Sequence, residues 1–287
     1  ERRMIHSAKR ILLSSRPVSW INTAFPFGAA YLVSQGSADV MFFAGTLYFL
    51  IPYNLLMYGI NDVFDYESDK HNPRKSGAEG VVLEKQLHKT TVRAVLLLNV
   101  PFLAWMFLQG DWASNTVLAV TIFLVLAYSL PVLRFKERPM LDSVTSAAHF
   151  TGPMLYGIVL GGWNPYYLSF TLSFLLWGMA SHAFGAVQDI LPDREAGTSS
   201  IAIFFSARWT VRISVILYLM ACELLLLRGT GPMIAGLVGL VYVINILPFW
   251  DLTNAKSQRA NRGWKRFIKL NYLVGFVITA LLIRGHL

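Results

Sequence analysis

Long runs without a charged residue dominate this chain and restrict what it can fold into. They cover residues 17–38, 40–61, 94–110, 112–133, 143–188, 213–222, 229–250 and 270–283. A helix needs about 20 apolar residues to cross a membrane, and most runs are near that length. The run 143–188 is long enough for two helices, and Gly161-Gly162-Trp163-Asn164-Pro165 in its middle predicts a turn. The pattern predicts an all-α, multi-pass membrane protein with nine transmembrane helices.

The composition agrees with a surface that faces lipid. Charged residues make up 14% of the chain and the mean hydropathy is +0.49, whereas about a quarter of the residues of a soluble domain are charged. The single cysteine, Cys222, excludes an intramolecular disulfide and a cysteine-based metal site. The net charge of +9 is explained by membrane topology and by anionic lipid headgroups. We therefore expect membrane lipids as partners and no nucleic acid.

The basic residues predict the orientation of the chain. Of the 25 Lys and Arg residues, 23 precede the first run or follow an even-numbered predicted span, and only Arg228 and Arg284 fall on the other side. The positive-inside rule then places the amino terminus and the longer loops in the cytoplasm, in the cell membrane.

Two acidic clusters stand where apolar runs end. The first is Asn61-Asp62-x-x-Asp65-x-x-x-Asp69 and the second is Asp189-x-x-x-Asp193. A carboxylate costs about 2.5 to 3.5 kcal/mol at the centre of a membrane helix, so such clusters need a compensating partner. At helical spacing each set projects from one helix face, and two such faces could hold Mg²⁺ between them. Mg²⁺ held in this way suits a diphosphate.

A short internal repeat relates the two clusters. Residues 65–70 and 189–194 share the pattern Asp-x-x-x-Asp followed by a basic residue, and both end an even-numbered span. The repeat predicts two four-helix halves and a ninth helix around a central cavity, within a single domain that covers residues 1–287.

Basic and aromatic residues near the clusters supply further candidate site residues. A departing diphosphate is stabilised by cationic donors, and the candidates are Arg74, Lys75, Arg134, Lys136 and Arg194. The ring faces of Tyr58 and Trp177 could stabilise an allylic cation. His182, seven residues before Asp189 and about 10 Å deeper on the same helix face, is a candidate base, with hydrogen-bonded packing as the alternative. Asn22 could reach the site or could join two helices.

These motifs resemble those of a known family. The two acidic clusters, the segment Tyr128-Ser-Leu-Pro-Val-Leu-Arg-Phe-Lys136 between them and the nine predicted spans are similar to the UbiA superfamily of intramembrane prenyltransferases. Segments 16–27, 58–69, 188–195 and 260–265 resemble its lycopene elongase branch. The resemblance implies a prenyltransferase that transfers a five-carbon unit from dimethylallyl diphosphate to lycopene.

The resemblance also implies roles for particular residues. Tyr128, with Arg134 or Lys136, would contact the diphosphate. The residues that would hold Mg²⁺ and diphosphate are Asn61, Asp62, Asp65, Asp69, Asp189 and Asp193.

Two other functions compete with this one. Prenyl transfer to an aromatic quinone precursor would need an extra cation inside the membrane to bind the carboxylate of the acceptor. No predicted span contains a Lys or Arg near its middle. An ion-coupled transporter would need polar residues along a path through the bilayer. Here the acidic residues collect at one predicted face of the membrane, which favours an enzyme with an apolar acceptor.

Overall fold

The computed structural model describes the backbone of residues 2–69, 76–77 and 80–285 and the side chains of residues 7–67 and 82–285. Its helices are α1 (Arg2–Ser14), α2 (Ile21–Gln35), α3 (Val40–Leu50), α4 (Pro52–Asn54), α5 (Ile60–Phe64), α6 (Tyr66–Asp69), α7 (His88–Gln109), α8 (Trp112–Ser129), α9 (Leu141–Gly161), α10 (Tyr167–Val187), α11 (Ile190–Glu195), α12 (Ile201–Leu226), α13 (Thr230–Ile246) and α14 (Asn261–Ile283). Two strands of two residues each, β1 (Ser76–Gly77) and β2 (Gly80–Val81), pair in antiparallel fashion. Apart from this pair, the described chain is helical, which confirms the all-α prediction.

Seven helical segments of the described chain are long and apolar enough to cross a membrane. They are Val40–Phe64, Lys85–Gln109, Trp112–Ser129, Tyr167–Val187, Ile201–Leu226, Thr230–Phe249 and Asn254–Ile283. The two other predicted spans correspond to α2, which has 15 residues, and to α9, which has 21. The multi-pass helical architecture is confirmed, and the count of nine transmembrane helices is not.

Two helices are much longer than the charge-free runs that predicted them. Run 213–222 lies inside α12, which has a non-helical residue at Ser206 (φ 72°) and then continues to Leu226, and run 270–283 lies inside α14, which has 23 residues. Both helices continue through arginine or lysine residues at one end. Long basic side chains can extend along a helix and keep their charged groups in the interface, so a charge does not mark the end of a helix.

The chain divides into two compact units. Unit 1 contains residues 1–134 and 152–163, and unit 2 contains residues 135–151 and 164–287. Helix α9 contributes its first half to unit 2 and its second half to unit 1. The predictions of a single domain, of two four-helix halves and of a cavity between them stay predictions.

The core of unit 1 is aromatic, and polar side chains join its helices. Phe27 packs against Phe49 and Tyr156, with ring centroids 5.0 and 5.9 Å away. Asn54 Nδ2 donates hydrogen bonds to Thr23 Oγ1 at 2.7 Å and to the carbonyl oxygen of Phe49 at 2.8 Å. These bonds fix α2 against the segment that leads to the first acidic cluster.

Close packing between α2 and α9 depends on a glycine. A Cβ atom at Gly157 would stand 2.7 Å from the carbonyl oxygen of Phe27. We expect Gly157→Ala to destabilise the protein by about 1 to 3 kcal/mol, because backbone must move to admit the methyl group. Thermal unfolding in detergent measures this, with Gly275→Ala as the matched helical control, where a Cβ meets nothing within 4 Å. Equal melting temperatures for the two variants would contradict the close packing.

The core of unit 2 joins α10, α12, α13 and α14. Tyr218 stacks on Tyr242 with ring centroids 5.5 Å apart, and Tyr242 contacts Phe267 at 5.6 Å. Ser181 Oγ and Tyr218 Oη form a hydrogen bond of 2.9 Å between α10 and α12. Polar contacts of this kind between apolar helices fix α10, which carries His182 and leads to the second acidic cluster.

Candidate active site

The segment before the first acidic cluster is not a regular α-helix. After Pro52 starts α4, residues Leu55–Gly59 form a turn of π-helix, and α5 follows directly with Asn61 and Asp62. A π-turn adds a residue to the helical repeat and rotates every side chain after it, and such turns are frequent at functional sites. The rotation therefore sets the direction in which the cluster points.

The chain bends within the cluster itself. Helix α5 ends at Phe64, Asp65 has φ −99° and ψ 6°, and α6 begins at Tyr66. The regular helix that was predicted to carry Asp62, Asp65 and Asp69 is therefore interrupted at Asp65. Aspartate tolerates this bridge conformation better than most residues, because its short side chain can bond to nearby backbone groups. The side chain of Asp69 lies outside the described residues, as do Arg74 and Lys75.

Two buried carboxylates each face an arginine in unit 1. Asp62 Oδ1 lies 3.5 Å from Nη2 of Arg16, and Asp65 Oδ1 lies 3.5 Å from Nη2 of Arg134. The side chain of Asp62 is fully buried and that of Asp65 is 8% exposed. Burial of a carboxylate is costly without a charged or hydrogen-bonding partner, so the arginines are part of the site. The structure thus brings Asp62, Asp65 and Arg134 together, as predicted, and adds Arg16.

Arg16 also covers an aromatic ring that was predicted to face a carbocation. The guanidinium carbon of Arg16 lies 4.2 Å from the ring centroid of Tyr58, within the range of a cation–π interaction. One face of Tyr58 is therefore occupied by a protein cation. Arg16 itself has a left-handed backbone, with φ 52° and ψ 73°, directly before Pro17.

The end of α8 lies beside the first cluster. Ser129 Oγ donates a hydrogen bond of 3.1 Å to Oδ1 of Asn61. Helix α8 ends there, and Arg134 then takes a left-handed backbone with φ 47°. Tyr128, the preceding residue of α8, is half-buried, as is Lys136 in a 3₁₀ turn of unit 2. Arg134 is therefore a basic candidate whose guanidinium group lies beside Asp65.

The second acidic cluster follows a break after α10. This helix ends at Val187, and Asp189 precedes the short helix α11, which contains Asp193. The backbone N–H of Asp193 donates to the carbonyl oxygen of Asp189 at 2.9 Å, so the two aspartates are one helical turn apart. The prediction that His182 and Asp189 share one helix face is wrong, because the helix that carries His182 ends before Asp189. Arg194 is exposed.

His182 instead faces a carboxylate from α9. Its Nε2 lies 3.7 Å from Oδ2 of Asp142, whose side chain is completely buried. Asp142 also accepts backbone hydrogen bonds of 2.7 Å from Ile201 and from Ser143. Asp142 was not among the predicted site residues: it stands near the basic segment that ends at Arg138, where charges are typical of a loop.

The remaining candidates lie in the helix cores. Asn22 is half-buried in α2. Trp177 belongs to the aromatic cluster of unit 2, stacked on Phe174 at 5.3 Å and on Phe267 at 5.8 Å between ring centroids. Packing accounts for these contacts of Trp177, and a role next to a carbocation stays a prediction.

Comparison with known proteins identifies the family. The family model described as UbiA prenyltransferase family matches residues 23–273. The chain belongs to the UbiA prenyltransferase family.

Relatives of known activity agree with this assignment. The chain is 51% identical over 285 residues to a lycopene elongase/hydratase of Corynebacterium glutamicum strain ATCC 13032, covering 99% of each chain. It is 46% identical to the C(50) beta-cyclic carotenoids biosynthesis protein LbtBC of Dietzia sp. strain CQ4, covering 94% of this chain and 63% of that protein. The identity to the lycopene elongase/hydratase of Haloferax volcanii is 33%, over 92% of this chain and 85% of that one.

Solved structures share the fold. A UbiA homolog from Archaeoglobus fulgidus bound to GPP and Mg²⁺ superposes with a TM-score of 0.69 at 18% identity, covering 94% of this chain and 99% of that one. A digeranylgeranylglyceryl phosphate synthase superposes with a TM-score of 0.69 at 16% identity, covering 98% and 99%. The predicted family, its lycopene elongase branch and the enzyme class are confirmed: this membrane protein is a prenyltransferase. The transporter alternative is wrong.

The donor atoms of the prenyltransferase fit a hard divalent cation. Within the side chains that the structure describes, no three His, Cys, Asp or Glu residues converge as a complete metal site. Mg²⁺ does not need one, because it commonly binds through one or two carboxylates and completes its shell with water and substrate phosphate. Asp62 and Asp65, with the amide oxygen of Asn61 nearby in sequence, offer this all-oxygen set.

Proposed function

We propose that this prenyltransferase ionises dimethylallyl diphosphate in the presence of Mg²⁺ and transfers the five-carbon unit to lycopene, toward C45 and C50 carotenoids. Curated relatives with 51% and 50% identity over nearly the whole chain are lycopene elongase/hydratases. A structural neighbour of the same fold was solved with DMAPP and Mg²⁺. The single structural observation that supports the proposal is the pair of buried carboxylates in unit 1, each beside a guanidinium group, at the end of an apolar span.

The carboxylates are proposed to hold the metal. Asp62 and Asp65 would bind it with Asn61 and Asp69, and Asp189 with Asp193 would form the corresponding set of unit 2. When bound, Mg²⁺ supplies Lewis-acid stabilisation of the charge that develops on the departing diphosphate.

Arginines beside these carboxylates are proposed to bind the diphosphate. At 3.5 Å, Arg16 and Arg134 compensate the charges of Asp62 and Asp65. With a divalent cation bound to the carboxylates, the guanidinium groups of Arg16 and Arg134 would be available to phosphate oxygens, for which their planar donors are suited. We place Arg74, Lys75, Tyr128, Lys136 and Arg194 in the same role for the outer phosphate oxygens.

The acceptor is proposed to be an apolar polyene that enters from the bilayer. No predicted span contains a Lys or Arg near its middle that could bind a carboxylate. This disfavours an aromatic acid as the acceptor. A C40 hydrocarbon does not cross water, so its end must reach the donor between helices. We assign Asn22, Tyr58 and Trp177 to the cavity around the allylic cation, and His182 to the step in which the cation of the coupled product loses a proton or captures water.

The orientation is proposed from charge. The cytoplasmic side would carry the amino terminus and both acidic clusters, because 23 of the 25 basic residues fall on that side. A soluble donor would then reach the site from the cytoplasm, while the acceptor stays in the membrane.

Pigment analysis of lycopene-producing cells that express the chain tests the proposal. We expect new carotenoids that are heavier than lycopene by one and by two five-carbon units, at the expense of lycopene. Unchanged lycopene together with prenylated 4-hydroxybenzoate would overturn the acceptor assignment and favour the quinone-precursor alternative.

Arg134→Ala should impair donor binding more than Lys136→Ala does, because Arg134 stands beside Asp65. Hydrogen bonds to charged groups contribute about 1.5 to 3 kcal/mol, so we expect the KM for dimethylallyl diphosphate to rise at least about tenfold in Arg134→Ala. The KM for lycopene should stay constant, since the arginine contacts phosphate. Arg284→Ala serves as the control, because Arg284 is predicted to lie on the opposite side of the membrane from the acidic clusters. Wild-type donor kinetics in Arg134→Ala would remove this residue from the diphosphate site.

A further inference from the structure

A buried carboxylate and an imidazole face each other inside unit 2, apart from the acidic motifs. Asp142 is the second residue of α9, and His182 lies in α10, with Nε2 and Oδ2 3.7 Å apart. The Asp142 side chain has no solvent exposure, whereas that of His182 is 19% exposed. The carboxylate of the pair is therefore enclosed by protein, whereas the imidazole is partly accessible from outside.

The orientation of the carboxylate is fixed from two sides. Asp142 Oδ2 accepts the backbone N–H of Ile201, the first residue of α12, and Oδ1 accepts that of Ser143, both at 2.7 Å. Hydrogen bonds of this length to rigid helix ends leave the carboxylate little freedom. The Asp142 carboxylate is therefore a fixed negative group beside the imidazole. In many active sites a group of this kind orients the residue that acts as the base.

We propose that His182 and Asp142 form a proton-transfer pair that directs the tertiary cation of the coupled product to capture water. The inference rests on the proposed function. Asp142 acts as a positioning residue: its buried carboxylate, 3.7 Å from Nε2, compensates the charge that the imidazole gains when it accepts a proton. The carboxylate and the imidazole are two polar groups that can also bind a water molecule.

The chemical step balances without an oxidant or reductant. Prenyl transfer breaks the bond between carbon and the diphosphate oxygen of the donor and forms a carbon–carbon bond, which leaves a tertiary cation on the acceptor. The oxygen of a water molecule forms a bond to that carbon, one O–H bond breaks, and the proton passes to the imidazole of His182. The product is a tertiary alcohol, and the imidazolium, stabilised by the Asp142 carboxylate, returns the proton to solvent.

A purely structural role predicts different behaviour. Asp142 caps the start of α12, but Ser200 caps the same helix by accepting the N–H of Ile203 at 3.4 Å. Removal of the Ser200 hydroxyl weakens the cap of α12 and leaves the Asp142 carboxylate in place. If capping were the whole role of Asp142, Ser200→Ala and Asp142→Asn would act alike.

Product analysis of the purified enzyme with lycopene, dimethylallyl diphosphate and Mg²⁺ tests the pair. Asp142→Asn keeps an oxygen acceptor for Ile201 and removes the charge. We expect the ratio of hydroxylated to dehydrated product to fall at least about tenfold in Asp142→Asn and in His182→Gln, the lower end of the effect of a general base. The double variant should show the ratio of either single variant, because the two residues act as one unit. Ser200→Ala should keep the wild-type ratio.

The outcomes separate this inference from the proposed function. A wild-type ratio in folded Asp142→Asn overturns the pair; if that variant does not fold, a wild-type ratio in His182→Gln does so. A wild-type enzyme that prenylates lycopene but makes only dehydrated product overturns the water-capture step alone. A wild-type enzyme that leaves lycopene unchanged overturns the proposed function, before any ratio is measured.

Discussion

Asp65→Asn and Asp189→Asn are each expected to reduce prenyl transfer by at least about 10²-fold, because the charge on the departing diphosphate loses the ion that stabilises it. Asparagine preserves the volume of the side chain and one oxygen ligand but removes the negative charge that retains Mg²⁺. Both variants should still insert into the membrane and purify. Release of labelled diphosphate in detergent measures the loss.

Asp251→Asn is the matched control for these two variants. Asp251 belongs to unit 2, its side chain is 72% exposed, and it pairs with Arg212 at 3.0 Å. We expect its replacement to leave diphosphate release at the wild-type rate. If Asp65→Asn or Asp189→Asn behaved like this control, the assignment of both acidic clusters to the metal would be wrong.

Arg16→Gln should raise the KM for the diphosphate donor by roughly 10²-fold, as expected when a charged partner of a buried group is removed. The same change removes a cation that competes for Asp62, so the Mg²⁺ concentration that gives half-maximal activity should fall. These opposite shifts distinguish a residue of the site from one that only supports folding, which would weaken both. Steady-state kinetics with varied donor and varied Mg²⁺ measure them.

Arg10→Gln provides the comparison within the same amino-terminal arm. Its side chain is 23% exposed, against 22% for Arg16, and it pairs with Glu84 at 2.8 Å. Donor and Mg²⁺ dependence should both stay at wild-type values in this variant. Identical kinetics for Arg16→Gln and Arg10→Gln would show that Arg16 serves only the orientation of the chain in the membrane.

The starts of several helices could be predicted from sequence because a local rule decides them. Runs 40–61 and 112–133 begin directly after Asp39 and Asp111, and both aspartates cap the helices that follow. The N–H of Phe42 lowers the pKa of Asp39, and hydrogen bonding by Ser114 lowers the pKa of Asp111. Side-chain oxygens accept hydrogen bonds from the free N–H groups at helix starts. An aspartate that interrupts a charge-free run can therefore cap the helix that follows.

The geometry of the acidic clusters could not be predicted in this way. Regular helical spacing placed Asp62, Asp65 and Asp69 on one face, whereas the chain has a π-turn at Leu55–Gly59 and a bend at Asp65. Both irregularities lie in unit 1, where Asn54, directly before the π-turn, is held by Thr23 and Phe49. Sequence spacing identifies the residues of a site, and tertiary contacts decide where they point.

Partners distant in sequence were also missed. Arg16 and Asp142 stand at the edges of apolar runs, where charges commonly mark topology. Only the folded chain places Arg16 beside Asp62 and Asp142 beside His182. A fully buried carboxylate is the physical sign of such a partnership, and burial of a charge at the edge of a span is a tertiary property.

The most direct measurement uses purified enzyme in lipid vesicles that contain lycopene, with dimethylallyl diphosphate labelled in its carbon skeleton. The account predicts label in carotenoids one and two five-carbon units longer than lycopene, with no transfer after Mg²⁺ is chelated and recovery when Mg²⁺ is restored. Label that stays in the donor, or transfer that continues at the same rate in the chelator, would contradict it.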